Sequence, residues 1–112
     1  MAENCLFCGI VSGDVPATVV HDSDGALAFA DVTPKAPTHV LVIPKKHLTD
    51  IGDLASDPEA AAAVVAGISA VARELKLESY RTVFNTGPGA GQTVFHVHAH
   101  VLAGRDLGWP PG

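Results

Sequence analysis

Apolar residues recur along this chain at two different periods. Val19–Asp22 and Ala26–Asp31 read as short strands, and the Asp24-Gly25 pair between them suits a tight hairpin. Thr33–Pro37 is a loop, because Pro34 and Pro37 each disfavour helix before them and remove a ladder donor. His39–Ile43 is β-branched and nearly continuous, ended by Pro44. From Pro58 to Leu75 the period becomes helical: Val64, Ile68, Val71 and Leu75 form one stripe, and Ser56 with Glu59 reads as a capping box. Ala61, Val65 and Ala72 add a second small apolar face. A helix apolar on two sides is covered on two sides, here by a second copy of the chain, unless the face is simply Ala-rich and exposed. A short helix over Cys5–Ser12, stopped by Gly13 and Pro16, and strands at Tyr80–Asn85 and Val94–Leu102 complete the set. The prediction is one α+β domain over residues 1–112, a mainly antiparallel sheet with one long helix and a short N-terminal one.

The last of these strands changes the picture. In Phe95-His96-Val97-His98-Ala99-His100-Val101-Leu102 the three histidines fall at alternate positions. On a strand they share one face, while Phe95, Val97, Ala99 and Val101 share the other and pack inward. Before it runs Asn85-Thr86-Gly87-Pro88-Gly89-Ala90-Gly91-Gln92-Thr93. Its glycines allow positive φ and leave amides able to converge on an anion. Hairpin turn chemistry accounts for the same glycines, and neither a Rossmann fingerprint nor a P-loop fits, because a strand follows. An anion held by the Gly91–Thr93 amides would nevertheless lie beside His98 or His100. That pairing suggests phosphoryl or nucleotidyl transfer, since neutral imidazole, with a pKa of about 6.5, is a competent nucleophile near neutrality.

Composition narrows the partners. The chain is 47% hydrophobic and 17% charged, a globular balance, with a formal charge of −5. No basic stripe exists beyond Lys45-Lys46, which argues against a nucleic acid as the partner. Met1-Ala2-Glu3-Asn4 lacks a positive n-region, and Ala60–Ala72 is too short for a membrane span, so no membrane association and a cytoplasmic location are expected. Cys5 and Cys8 form a CxxC that favours metal binding or redox chemistry in a reducing compartment. Adjacent same-face residues of a strand lie about 6.6 Å apart and the outer pair about 13 Å, so one ion takes at most two of the three rings.

His96-Val97-His98-Ala99-His100-Val101-Leu102 resembles the His-φ-His-φ-His-φ-φ pattern of the histidine-triad (HIT) nucleotide-binding superfamily. Phe29-Ala30-Asp31-Val32, Ala36-Pro37-Thr38-His39, Pro44-Lys45-Lys46-His47, the Asn85–Thr93 loop and Trp109-Pro110-Pro111-Gly112 extend the likeness to its Hint branch. The branch with a His-Pro-His-Pro-Gln motif is not matched, because His100 stands at the third position. The resemblance implies a HIT-like fold, a two-fold homodimer with a continuous sheet, purine mononucleotide pockets, and hydrolysis of purine nucleoside phosphoramidates.

By the same resemblance His98 is the nucleophile, His100 contacts the phosphate, and His39 supports it. Asp31 accepts from the ribose hydroxyls, and Ile10, Phe29 and Val32 flank the purine. Asn85, Gly91, Gln92 and Thr93 hold the phosphate, with Thr93 where serine is common in the branch. In members carrying a CxxC, a structural zinc is held by residues matching Cys5, Cys8, His47 and His96. Buried thiols without metal, or redox activity, are the other uses open to that pair. The chemical step itself requires no cofactor. A dinucleoside polyphosphate hydrolase and a nucleotide-binding regulatory protein with vestigial turnover are the alternatives.

Overall fold

The computed structural model describes residues 4–112; Met1–Glu3, on which part of the leader argument rests, lie outside the described residues. In chain order the elements are α1 (Leu6–Ser12), β1 (Val19–Asp22), β2 (Ala26–Ala30), β3 (Thr38–Pro44), α2 (Ile51–Ala55), α3 (Pro58–Glu74), β4 (Arg81–Phe84) and β5 (Ala99–Ala103). A single 3₁₀ turn, Pro88–Ala90, interrupts the glycine-rich loop. The strands form one antiparallel sheet in the order β1-β2-β3-β5-β4. No helix among the described residues is long and apolar enough to cross a membrane.

The central strands are covered on both faces, which is why β3 reads as a continuous apolar run rather than an alternation. One face sends Ala28, Val40, Val42, Ala99 and Val101 under α3, where Val64, Ile68 and Val71 meet them. The opposite face sends Leu27, Phe29, Leu41 and Ile43 toward Phe7 of α1. Gly67 lets α3 approach closely, since a Cβ there would stand 3.0 Å from Val42 Cγ1. Larger residues at that point would push the helix off the sheet.

Several expectations are corrected. The cap of α3 is Asp57, whose carboxylate accepts from the Ala60 N–H; Ser56 instead caps the end of α2, a short helix that periodicity missed. The buried stripe of α3 stops at Val71, because Leu75 lies past the last turn and is 41% exposed. On the second face Ala72 is buried but Val65 is exposed.

The largest correction concerns the histidine segment. Regular pairing begins only at Ala99, not at Val94. Extending the observed register of Val42 with Ala99 would place Pro44 opposite Val97, and proline has no N–H to continue the ladder. On the other side β4 ends at Phe84, opposite Ala99. The Val97 N–H bonds instead to the Leu48 carbonyl at 2.7 Å. Alternation nonetheless survives this irregular stretch, with Val97, Ala99 and Val101 in the core. Phe95, expected beside them, is 45% exposed.

Candidate active site

The rings of His98 and His100 lie on the same side of the sheet, their centroids 4.9 Å apart. His98 is 8% exposed, and Phe7 of α1 stands edge-on to it at 5.1 Å. Phe7 is a wall of the site that sequence reasoning missed, although its place beside Cys8 on an amphipathic turn was a usable signal. The Nδ1 of His98 lies 2.9 Å from the His96 carbonyl. A carbonyl only accepts, so Nδ1 carries a proton, and in the neutral ring the lone pair is on Nε2.

A second chain of bonds sets the proton on His100. The Lys35 N–H donates to His39 Nδ1 at 2.9 Å. His39 must then be neutral with its proton on Nε2, which lies 2.9 Å from His100 Nδ1 and 3.3 Å from Asp31 Oδ2. His100 Nδ1 faces that donor and accepts, so its proton sits on Nε2. This atom is buried and has no hydrogen-bond partner among the described residues. A buried N–H in that condition is costly unless a ligand accepts from it. Lone pair and proton thus sit side by side on neighbouring rings, an arrangement suited to attack on an anionic centre and stabilisation of it.

Burial favours the neutral forms of His39 and His100. His100 is pushed down to about 4, first by burial and then by the neighbouring His98 and His39, against the opposing pull of Asp31. His39 is lowered by burial despite Asp31, and Lys35 adds to the shift. An unfolded histidine takes its proton below about 6.5. The folded His100 refuses one until about pH 4. Its contribution is complete above pH 6.5 and is lost as pH falls through that window. Urea unfolding at pH 7 and pH 4.5 should show lower stability at pH 4.5, with a smaller fall in His100→Asn; an equal fall in both proteins would contradict this.

The remaining expected site residues are placed unevenly. Asp31 Oδ1 accepts from the Thr33 N–H at 2.9 Å and from its hydroxyl at 3.3 Å, leaving the carboxylate partly engaged. Phe29 is buried against Phe7 at 5.3 Å, and Ile10 is half-buried on the same cluster. Val32 is 94% exposed and walls a hollow of about 350 Å³ with Asp31 and Pro16–Thr18. Gly91, at φ +94°, packs near the Asn85 amide. The Gln92 side-chain amide donates to the Thr49 and Val94 carbonyls while its oxygen accepts from the Gly87 N–H. The side chain braces the loop from within. Thr93 is exposed and lines a cavity of about 570 Å³ together with Asn4, Cys5, Leu6, His47, Val94 and Phe95. His98 and His100 are not among the walls of either hollow.

Beside the rings, Cys5, Cys8, His47 and His96 bring their ligand atoms within 4.8 Å of one another. Cys5 Sγ is 3.4 Å and Cys8 Sγ 3.6 Å from His96 Nδ1, and Cys8 Sγ is 3.3 Å from His47 Nδ1. The S···N edges of a tetrahedral zinc site, with bonds of about 2.3 and 2.05 Å, are about 3.6 Å. His96 Nε2 donates to the Pro44 carbonyl at 2.8 Å, so Nδ1 is the free donor atom for a metal. The Cys8 N–H donates to Cys5 Sγ at 3.3 Å.

A five-stranded antiparallel sheet on an α+β frame, with three alternating histidines leading into its β5, defines a histidine-triad protein. The HIT domain family model matches residues 12–107. The crystal structure of a HIT family hydrolase from Legionella pneumophila superposes with a TM-score of 0.90 at 47% identity, covering 97% of this chain and 100% of that one. The purine nucleoside phosphoramidase of Escherichia coli is 35% identical over 96% of this chain and 93% of its own length. A 14 kDa zinc-binding protein of Zea mays is 39% identical over 96% of this chain and 87% of its own. The chain belongs to the HIT family, in its Hint-like branch, and is a histidine-triad nucleotide hydrolase.

Proposed function

We propose that the protein hydrolyses purine nucleoside phosphoramidates to a nucleoside monophosphate and an amine, with His98 as the nucleophile. The observation that carries the proposal is the pair of ring states: a lone pair on His98 Nε2 beside a buried, unused N–H on His100. His98 Nε2 attacks the phosphorus, the P–N bond breaks, and the amine leaves after taking one proton. The His100 N–H holds the phosphoryl oxygens as charge builds. Water then attacks the nucleotidyl-histidine, loses a proton, and returns His98 to its neutral state. Asp31 receives the ribose hydroxyls, Ile10, Phe29 and Val32 border the base, and Asn85, Gly91 and Thr93 hold the phosphate from the loop side. The phosphoramidase relative from Escherichia coli supports this substrate class over dinucleoside polyphosphates.

Cys5, Cys8, His47 and His96 would hold a zinc ion, and the maize zinc-binding relative supports that reading. A closed Cys₂His₂ set supplies no catalytic position; it fastens α1 to the segment before β5. A second copy of the chain would cover Val65 and the open edge of β4.

The test compares wild-type rates on adenosine phosphoramidate and on a diadenosine polyphosphate, with an alkaline quench to preserve the adduct. Faster AMP release from the phosphoramidate, and an adenylyl group on the peptide bearing His98, are expected. A preference for the polyphosphate, or an adduct on any other residue, would overturn the proposal.

A further inference from the structure

The segment after β5 closes over the loop that carries the Lys35 amide. Gly104 has φ +95°, and a Cβ there would stand 2.8 Å from Pro37 Cβ, so the chain turns tightly against that loop. The next residue reaches back across it. Arg105 Nε donates to the Lys35 carbonyl at 3.1 Å, while its Nη1 donates to the Asp106 carbonyl at 3.0 Å. Lys35 is thus gripped at its carbonyl by Arg105, while its N–H is the donor that His39 Nδ1 accepts. At the other end of the same loop, Thr33 holds Asp31, whose second oxygen faces His39 Nε2.

We propose that Arg105 is a positioning residue for the reaction: by holding the Lys35 N–H against His39, it keeps His100 in the tautomer whose N–H faces the phosphate. The role of that N–H rests on the proposed function; the tautomer itself does not. A neutral imidazole moves its proton between its two nitrogens at little cost in water. Asp31 Oδ2 also favours the proton on His39 Nε2, so losing the Lys35 donor weakens that preference; in the fraction where His39 carries its proton on Nδ1, it turns a lone pair toward His100. His100 then donates from Nδ1 and shows a lone pair from Nε2. One proton has shifted on each ring, the net charge is unchanged, and the donor has become a repulsive acceptor. Nothing in this sequence of events requires Arg105 to touch substrate.

The test uses the full chain labelled with ¹⁵N histidine, and long-range proton–nitrogen spectra to identify the protonated nitrogen of each ring. In wild type, His39 and His100 should both be protonated at Nε2. In Arg105→Ala both rings should lose that single-tautomer signature. Its kcat on adenosine phosphoramidate should fall about tenfold with KM changed less than about threefold. Arg105→Lys retains a cationic donor within reach of the Lys35 carbonyl and should recover both signals. The proposal is overturned by wild-type His100 protonated at Nδ1, by kcat of Arg105→Ala within twofold of wild type, or by a lower kcat with unchanged tautomers. Should the alanine variant fail to fold, the wild-type spectrum and Arg105→Lys decide, the proposal failing if the lysine variant loses kcat without a tautomer change. If Arg105→Ala shifts the tautomers while His98→Ala leaves turnover intact, the brace stands and the proposed chemistry falls.

Discussion

Replacing His98 by alanine should lower hydrolysis of adenosine phosphoramidate by about 10⁴-fold or more, a loss of about 5.5 kcal/mol of transition-state stabilisation. The size follows from its role: among the described residues no other nitrogen nearby offers a lone pair in the same place. His39 Nε2 and His100 Nε2 both carry protons, and His96 Nδ1 is turned toward Cys5 and Cys8. Fold and nucleotide binding should survive, because His98 makes one backbone bond and ring contacts with Phe7 and His100 and belongs to neither apolar core cluster. Steady-state rates, a thermal melt and AMP titration on the same preparation separate these effects. Activity within tenfold of wild type would defeat the nucleophile assignment.

If Cys5, Cys8, His47 and His96 hold zinc as proposed, breaking that set should produce the largest change in stability. A ligand that binds only the folded state stabilises it by RT ln(1 + [L]/Kd), about 4 kcal/mol at a thousandfold excess over Kd. For a chain of this size that corresponds to a fall in Tm on the order of 15 °C. Cys8→Ala should therefore lose bound zinc and melt that much earlier. A chelator should bring the wild type toward the same midpoint without moving the variant. The physical cause is local: Cys5 caps α1 and Cys8 lies within it, while His47 and His96 belong to segments far along the chain. Without the ion, the contact of α1 with the sheet depends largely on Phe7 and its half-buried neighbours Ile10 and Val11. Turnover measured well below the melting range should persist within about tenfold, because His98 draws no proton from the cluster. Wild-type protein that binds no zinc, or identical melts for wild type and variant, would refute the assignment.

Much of the frame was readable from residue order alone, because side-chain period and burial are tied by geometry. Continuous apolar β3 and the Val64–Val71 stripe announced a sheet covered by a helix, and Gly13 marked the end of α1 with its left-handed backbone. Alternation through Val97, Ala99 and Val101 placed His98 and His100 on the face away from α3 even where no ladder forms. Where the reading failed, a local competitor won. Asp57 displaced Ser56 as a cap because its carboxylate reaches the Ala60 N–H, and Pro44 stopped the pairing that the histidine run suggested. The bonds of the Gln92 side chain to Gly87, Thr49 and Val94 were likewise not legible, because their partners are main-chain groups.

The proton positions lay beyond any such reading. Alternating histidines name the atoms available for chemistry, but not which nitrogen of each ring is protonated. That choice depends on the His96 carbonyl for His98, and for His100 on a backbone N–H at Lys35 acting through a ring 61 residues away in the chain. Main-chain amides and carbonyls are the same at nearly every residue, so residue type cannot mark the ones that matter. Folding does so, by bringing one loop, one strand and the turn at Gly104–Arg105 to a common point.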